Sequence, residues 1–312
     1  MSLVTSAATK TKWNAAAYAA NSSVQQSWAR EIIAKLKLRG DEHILDVGCG
    51  DGKVTAELAR AVPSGTVVGM DASAEMISFA SKKFPALKIP NLKFQVCDAR
   101  QITQALLPSP ASSSKEERAG VRRQIVSKSK LLTPALSSPR GEGVHAPKFD
   151  LVFSNAALHW VDNHETILHG AASVLTPGGR LLISCGGKGN AHDVFLALRP
   201  EMRLKRWREF FRKMPLPYFF YAPGDYEKWL PKSGFKINSI MLAPKDVVYD
   251  GAKVFATWLR TTWLPFVQRV PENLREEFIA AVTQRYVAKH PAAGKNKIHV
   301  RMVRLEIDAA KL

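Results

Sequence analysis

The stretch from Ile44 to Lys53, ILDVGCGDGK, constrains the fold more than any other part of the chain. An apolar run ends in three glycines that alternate with other residues, and a helical pattern follows at once. A strand, a glycine turn and a helix N-terminus in this order bring backbone N–H groups close to a ligand, and glycine tolerates both the contact and the backbone angles. The stretch therefore predicts a nucleotide-binding βα unit.

Strand-like and helical patterns alternate from this motif onward, which predicts an α/β sheet with crossover helices. The predicted strands cover residues 43–47, 66–70, 92–97, 149–154 and 180–185, followed later by 236–242 and 300–307. The predicted helices cover residues 53–61, 73–84, 163–175, 192–214, 225–232, 252–266 and 272–290.

The chain divides into three segments by composition and pattern. Residues 1–40 are expected to form N-terminal lid helices, and residues 41–187 the cofactor-binding core. Residues 188–312 are expected to add lid helices and the last strands to the same domain. Within the core, residues 108–147 contain eight Ser, five Pro, three Gly and no Phe, Trp or Tyr, so they are predicted to be a disordered insert.

The net charge of +18 is unusual, and such a field attracts nucleic acid, membrane surfaces and small anions alike. No apolar run is long enough to cross a bilayer, and no signal segment opens the chain, so we expect a cytoplasmic protein.

Because His159, His164 and His169 are five residues apart, they do not share a helix face, and we expect no metal site.

Two acids at strand ends suit the parts of an adenosine ligand. Asp71 ends the second predicted strand, where a carboxylate can accept both ribose hydroxyls, and Asp98 ends the third, where it can accept from an adenine amino group. The dinucleotide-binding fingerprint has the pattern Gly-x-Gly-x-x-Gly. Starting from Gly48 and Gly50, it would require a third glycine at position 53, where this chain has Lys53. This spacing disfavours a nicotinamide-dependent oxidoreductase, which is retained as an alternative.

Together with FDLVFSNAALHW and LTPGGRLLI, these motifs resemble the successive motifs of class I S-adenosylmethionine-dependent methyltransferases. The resemblance implies a Rossmann-like fold, with a mostly parallel seven-stranded sheet, an antiparallel last strand, flanking helices and a helical lid. It also implies S-adenosylmethionine as cofactor. The residues expected to bind the cofactor are Asp46, Gly48, Gly50, Asp71, Met76, Asp98, Ala99, Ser154 and Asn155.

A narrower likeness concerns both ends of the chain. Trp13-Asn14 with Tyr18, the NAALHW segment and ATWLRTTWLPF resemble the trans-aconitate methyltransferase group. In that group N-terminal helices fold over the cofactor, which implies that Trp13, Tyr18 and Gln25 line its site. The resemblance also implies a small acidic substrate.

Two residues are candidates for the chemistry itself. His159, near the end of the fourth strand, is a candidate general base, and Arg260 is our candidate for pairing with an acidic substrate, with Arg206 as a second choice. The rings expected to roof the pocket are Trp207, Phe211, Tyr218, Phe220, Trp258 and Trp263. An RNA or protein methyltransferase that uses the basic 199–213 segment is the alternative within the same reaction class.

Overall fold

The computed structural model describes residues 13–103, 148–291, 294 and 296–312, and within them seven strands form one sheet. The strands are β1 (His43–Val47), β2 (Thr66–Asp71), β3 (Leu92–Val96), β4 (Phe149–Asn155), β5 (Leu175–Gly186), β6 (Phe235–Asp250) and β7 (Lys297–Lys311). Their order is β3–β2–β1–β4–β5–β7–β6, and β7 runs antiparallel to both of its neighbours. This arrangement confirms the predicted fold class.

Eleven α-helices are found in the described part of the chain, packed on both faces of the sheet and over its carboxyl edge. They are α1 (Ala15–Asn21), α2 (Ser23–Ala34), α3 (Lys53–Ala61), α4 (Ala74–Lys83), α5 (His164–Val174), α6 (His192–Arg203), α7 (Arg208–Phe211), α8 (Pro223–Lys232), α9 (Ala252–Thr262), α10 (Leu264–Val267) and α11 (Arg275–Lys289). Single 3-10 turns lie at Ala99–Gln101, Leu158–Trp160 and Glu272–Leu274.

The central strands are covered on both faces, as their unbroken apolar runs predict. Successive residues of β1 point to opposite faces, so Ile44 packs in one core with Leu58, whereas Leu45 packs in the other with Leu168. All four side chains are fully buried. This two-sided burial fixes the position of the loops that follow β1, β2 and β4.

The strand order reverses direction between β1 and β4. Strand β1 pairs in parallel with β2 on one side and with β4 on the other. The chain that leaves β1 leads to β2, on the side away from β4. In open α/β sheets the crevice outside the carboxyl ends of the strands, at such a reversal, is where ligands bind. The predicted glycine turn leaves β1 at this point.

The last two strands are longer than the sequence pattern predicted. Strand β6 continues past residue 242 to Asp250 and stays paired with β7 throughout, from Phe235 opposite Lys311 to Asp250 opposite Lys297. The resulting two-stranded ribbon extends beyond the carboxyl edge of the sheet. It supplies part of the wall of a cavity described below.

The predicted helix over residues 252–266 is two helices, because Pro265 has no N–H to donate to the carbonyl of Thr261. Helix α9 therefore ends at Thr262, and the turn places Trp263 inward, 4% exposed. Trp207 and Phe211, expected in the pocket roof, instead pack on Phe278 inside the core of the lid helices.

The predicted insert, residues 108–147, lies outside the described residues. Over the ranges that the structure does describe, the helices are all too short or too polar to reach across a bilayer.

Candidate active site

The glycine turn after β1 is closed by two hydrogen bonds to the next strand. The N–H groups of Gly48 and Cys49 donate to the carbonyl of Met70 at 2.7 and 2.9 Å. Gly48 has φ +78°, and a Cβ atom there would lie 2.1 Å from Cβ of Ala157. Only glycine therefore fits at position 48, and the turn lies directly against the chain that leaves β4.

Asp71, the last residue of β2, receives two backbone hydrogen bonds. Its Oδ2 accepts from Gly50 N–H at 3.0 Å, and its Oδ1 accepts from Ser73 N–H at 2.9 Å. Burial raises the pKa of Asp71, while both hydrogen bonds lower it in part. Each oxygen keeps a lone pair, so the carboxylate can still accept two hydroxyl groups.

Asp98 is held by Arg100, a residue that the sequence did not single out. Asp98 Oδ1 accepts from Arg100 N and Nε at 2.9 and 3.0 Å, and Oδ2 accepts from Arg100 Nη2 at 2.7 Å. Burial alone would raise the pKa of Asp98, but these bonds hold it below its usual range. Asp98 is therefore a fixed, ionised acceptor beside Asp71.

These groups line the first of three connected cavities, which we call the aspartate groove, with a volume of about 90 Å³. The predicted cofactor residues that the structure brings together there are Trp13, Tyr18, Gly48, Gly50, Asp71, Met76, Asp98 and Ala99. The lining combines the carboxylates of Asp71 and Asp98 with apolar side chains such as those of Met76 and Leu158. Such a lining suits a nucleoside, whose ribose is polar and whose base is flat.

A second cavity of about 50 Å³, the turn groove, lies on the other side of the glycine turn and contains Gln25, Asp46, Asp51 and Asn155. Gln25 Oε1 is buried and has no hydrogen-bond donor among the described residues. Asp46 accepts from the hydroxyl of Thr55 at 2.7 Å, and burial raises the pKa of Asp46 to about 7. The turn groove thus offers acceptors to a cationic or amino group.

The third cavity, which we call the aromatic cavity, has a volume of about 290 Å³. Its aromatic lining residues are Trp13, Tyr18, Trp28, Trp160, Tyr218, Phe220, Tyr249, Trp258 and Trp263. Tyr18 and Ala156 line all three cavities, so the three meet at these two residues. Ala156 has φ +57°, an uncommon conformation for alanine, and strained residues of this kind cluster at functional sites.

His159 lines the aromatic cavity, and its hydrogen bonding defines its tautomer. Its Nδ1 faces the N–H of Gly186 at 3.3 Å and must accept from it, so the proton of a neutral ring is on Nε2. Loss of water around the ring lowers the pKa of His159 to about 3, and the nearby charge of Arg304 contributes. A ring with so low a pKa is a weak base, which argues against the predicted role of general base.

Arg304 is a buried cation in the same cavity, 3% exposed. Its Nη2 donates to Asn155 Oδ1 at 2.7 Å and to the carbonyl of Ser184 at 2.8 Å, and its guanidinium lies over the ring of Trp28 at 4.8 Å. No carboxylate within the described chain pairs with it, and its Nη1 has no acceptor there. Burial lowers the pKa of Arg304 to about 10, so it stays charged at neutral pH.

Three predicted site residues lie elsewhere. Ser154 is buried and donates to the carbonyl of Val47 at 2.7 Å, which ties β4 to β1, and it lines none of the three cavities described above. Arg260 pairs with Glu276 on the surface of the lid, Nε to Oε1 at 2.7 Å, and Arg206 pairs with Glu277. Neither arginine lines the aromatic cavity.

Arg304 is a candidate site residue that the sequence pattern could have revealed but that was not predicted. In β7 the residues Ile298, Val300 and Met302 alternate with exposed ones, and Arg304 is in phase with the buried set. A charged residue at a buried strand position requires a partner or a ligand. By contrast, Arg301 is out of phase and pairs with Asp193 at the surface.

A seven-stranded sheet of this order, with a glycine turn after β1 and acids at the carboxyl ends of β2 and β3, is the arrangement of the class I S-adenosylmethionine-dependent methyltransferases. A family model described as "Methyltransferase domain" matches residues 20–240, so the chain belongs to this methyltransferase family. The membership confirms the predicted reaction class and removes the nicotinamide-dependent alternative.

Individual relatives are distant. A trans-aconitate 2-methyltransferase of Delftia acidovorans is 26% identical over 322 residues, covering 96% of this chain and 98% of its own. An uncharacterized methyltransferase of Schizosaccharomyces pombe is 25% identical over 264 residues, covering 83% and 84%. Among solved structures, the YcgJ protein of Bacillus subtilis has a TM-score of 0.52 and 15% identity, covering 91% of this chain and 97% of that chain.

The residues present fit S-adenosylmethionine as the cofactor. The unpaired Gln25 Oε1 in the turn groove matches an ammonium donor, and Asp71 in the aspartate groove matches a pair of ribose hydroxyls. The two grooves meet at Tyr18 and Ala156, where the aromatic cavity also opens. A molecule spanning both grooves would have its middle beside that opening.

Proposed function

We propose that this methyltransferase transfers the methyl group to a carboxylate oxygen of a small molecule held in the aromatic cavity. The observation that carries the proposal is Arg304, a buried guanidinium in that cavity without a carboxylate partner in the described chain. Hydrogen bonds to Asn155 and Ser184, and the more distant charges of Glu306 and Glu31, stabilise this cation in part. A buried guanidinium without a paired carboxylate is still unfavourable, and an anionic ligand in the cavity would stabilise it further. Arg suits this task because its planar donors match a carboxylate.

We also propose which residues bind each part of the cofactor. We assign the ribose to Asp71, the adenine to Met76, Asp98 and Ala99, and the methionine end to Gln25, Asp46 and Asn155. Gly48 and Gly50 bring the backbone close to the cofactor, and Trp13 and Tyr18 cover it.

When bound, S-adenosylmethionine supplies a methyl carbon attached to a sulfonium. A carboxylate oxygen forms the new bond to that carbon, and the carbon–sulfur bond breaks with its electron pair remaining on sulfur. The carboxylate is already charged, so no proton is removed. Positioning can then supply most of the acceleration, on the order of 7–11 kcal/mol. His159, with its lowered pKa, is consistent with this base-free reaction.

The likeness to the trans-aconitate 2-methyltransferases supports an acidic acceptor, because those relatives are named for methylation of trans-aconitate, a carboxylate. The basic 199–213 segment does not require another partner. Arg206 pairs with Glu277, and both Arg208 and Arg212 lie near Glu209. RNA methylation is therefore retained only as an outcome of the test.

The test is a screen of carboxylic acids for release of S-adenosylhomocysteine, with Arg304→Met compared against the parent. We expect the variant to stay folded, because methionine matches the buried strand position, and to lose at least 30-fold in kcat/KM. Arg301→Met is the matched control on the opposite face of the same strand. Equal activity of the Arg304 variant, or turnover of RNA and no acid, would overturn the proposal.

A further inference from the structure

Two side chains that line the aromatic cavity have donors without an acceptor in the described part of the chain. Arg304 Nη1 has no acceptor among the described residues, and neither has Nε2 of His159, which carries the ring proton because Nδ1 accepts from Gly186. Both residues flank Gly186, since Arg304 lies opposite Gly186 in the β5–β7 pairing. A charged donor and a neutral donor therefore lie on one side of the cavity.

The rest of the cavity carries no other formal charge. Of its described lining residues, Arg304 is the one Arg or Lys, and none is Asp or Glu. Nine of the lining side chains are Trp, Tyr or Phe, and Val24, Val247, Val254 and Met302 are also apolar. A second carboxylate in such surroundings would lose its hydration without gaining a counter-ion.

The size of the cavity suits a molecule with one ring or a short chain. A cavity of about 150 Å³ is enough for benzene. At about 290 Å³, the aromatic cavity has room for a flat apolar group and one carboxylate. Aromatic walls favour flat groups, which they contact by edge and face.

We propose that the acceptor is a monocarboxylate with a flat or apolar body, held by Arg304 and by the Nε2–H of His159, and that tricarboxylates such as trans-aconitate are poor acceptors. This inference rests on the proposed function. One carboxylate oxygen accepts from the two donors, and the other forms the bond to the methyl carbon while the carbon–sulfur bond breaks and sulfur keeps the electron pair. In this scheme His159 is a donor that orients the acceptor and takes no proton.

The first experiment compares acceptors with the full chain, using saturating S-adenosylhomocysteine for the binding measurements and saturating S-adenosylmethionine for the turnover measurements. Calorimetry measures binding of cinnamate, 4-methylbenzoate, hexanoate, cinnamamide and trans-aconitate, and the release assay measures kcat/KM for each acid. We expect one of the monocarboxylates to exceed trans-aconitate at least 10-fold in both affinity and kcat/KM. The uncharged cinnamamide should bind at least 30-fold more weakly than cinnamate.

The outcomes separate this inference from the proposed function. Preference for trans-aconitate would overturn the inference and leave carboxylate methylation standing. Failure of every acid to bind and to react would overturn both. Equal binding of cinnamamide and cinnamate would show that no charge is recognised, which also contradicts the inference.

The second experiment tests His159 with two variants and the best monocarboxylate. His159→Phe removes the donor and keeps a ring, and His159→Gln restores an N–H donor at similar reach. We expect about a 10-fold loss of acid affinity in the first and recovery to within about 3-fold in the second. The kcat profile of the parent should be flat from pH 6 to 8. A profile that rises through pH 6–7, with both variants inactive, would identify His159 as a base and overturn its assignment as a donor.

Discussion

The hydroxyl of Tyr226 donates a buried hydrogen bond to Nδ1 of His164. Nε2 of His164 in turn donates to the carbonyl of Leu158 at 2.7 Å, which fixes the tautomer of the ring. Burial lowers the pKa of His164 to about 4, so the ring is neutral at pH 7. This pair anchors the turn Leu158–Trp160, which carries His159 and Trp160 into the aromatic cavity.

Tyr226→Phe should therefore lower the free energy of unfolding by about 1–3 kcal/mol, because it leaves a buried acceptor unsatisfied. Tyr221→Phe is the matched control, since Tyr221 donates to the carbonyl of Asp162, which is only partly buried. The control should lose less than about 1 kcal/mol. Urea unfolding measures both values, and equal losses would contradict the anchoring role.

Two arginines of the lid differ in the burial of their partners. Arg285 pairs with Glu201, which is 5% exposed, at 2.6 Å, whereas Arg260 pairs with Glu276, whose side chain is 68% exposed. Arg285→Ala should cost about 2–3 kcal/mol of stability, because it leaves a buried carboxylate unpaired. Arg260→Ala should cost less than about 1 kcal/mol.

The same two variants test whether Arg260 meets the substrate. Because Arg260 lies outside the aromatic cavity, Arg260→Ala should leave KM and kcat for an acid within about 2-fold of the parent. Thermal melting and steady-state kinetics measure the two effects separately. A large rise in KM for Arg260→Ala would return this residue to the anion site.

The cofactor half of the molecule was predictable because its signals are local. Gly48, Gly50 and Asp71 lie within one βα unit and the following strand, and chain order alone places strand ends of a parallel sheet at one edge. The limits of β6 were not predictable in this way. Its extension to Asp250 depends on pairing with β7, and the polar residues of an exposed ribbon do not mark where the strand ends.

The residues around the aromatic cavity could not be predicted in the same way, because their roles depend on contacts between distant parts of the chain. Arg260 was favoured because tryptophans flank it, but packing of α9 beside α11 brings Glu276 within reach. The tautomer of His159 depends on an N–H at the end of β5, which nothing near residue 159 indicates. Arg304 was detectable from its strand phase, yet its unpaired state follows only from the surrounding fold.

Asp71 provides the test of the cofactor site. Asp71→Ala removes the acceptors that we assign to two ribose hydroxyls and also frees the N–H of Gly50. Charge-assisted hydrogen bonds contribute about 1.5–3 kcal/mol, so affinity for S-adenosylhomocysteine should fall roughly 10- to 150-fold. Asp41→Ala, at a surface acid that pairs with Arg39, is the control and should bind normally. Undiminished binding by the Asp71 variant in calorimetry would remove the ribose assignment.

Asp46 should make the stability of the free protein depend on pH in a predictable direction. Burial raises the pKa of Asp46 to about 7 in the folded protein, whereas an unfolded Asp titrates at about 3.9. A raised carboxyl pKa means that the folded state holds its proton longer, so the contribution of Asp46 is most favourable below pH 4 and is lost as pH rises toward 7. Asp46→Asn should remove this loss.

The measurement is urea unfolding of parent and variant at pH 5, 6, 7 and 8, in the absence of cofactor. The free energy of unfolding of Asp46→Asn relative to the parent should rise by about 2–3 kcal/mol between pH 5 and pH 8. Titration of His159 and His164 is common to both proteins and cancels in the difference.

Thr55→Val should act in the opposite direction, because the Thr55 hydroxyl donates to Asp46 and lowers its pKa. Its loss of stability relative to the parent should therefore grow as pH rises through 7. A pH-independent difference for Asp46→Asn would show that the carboxylate is ionised in the folded protein throughout this range.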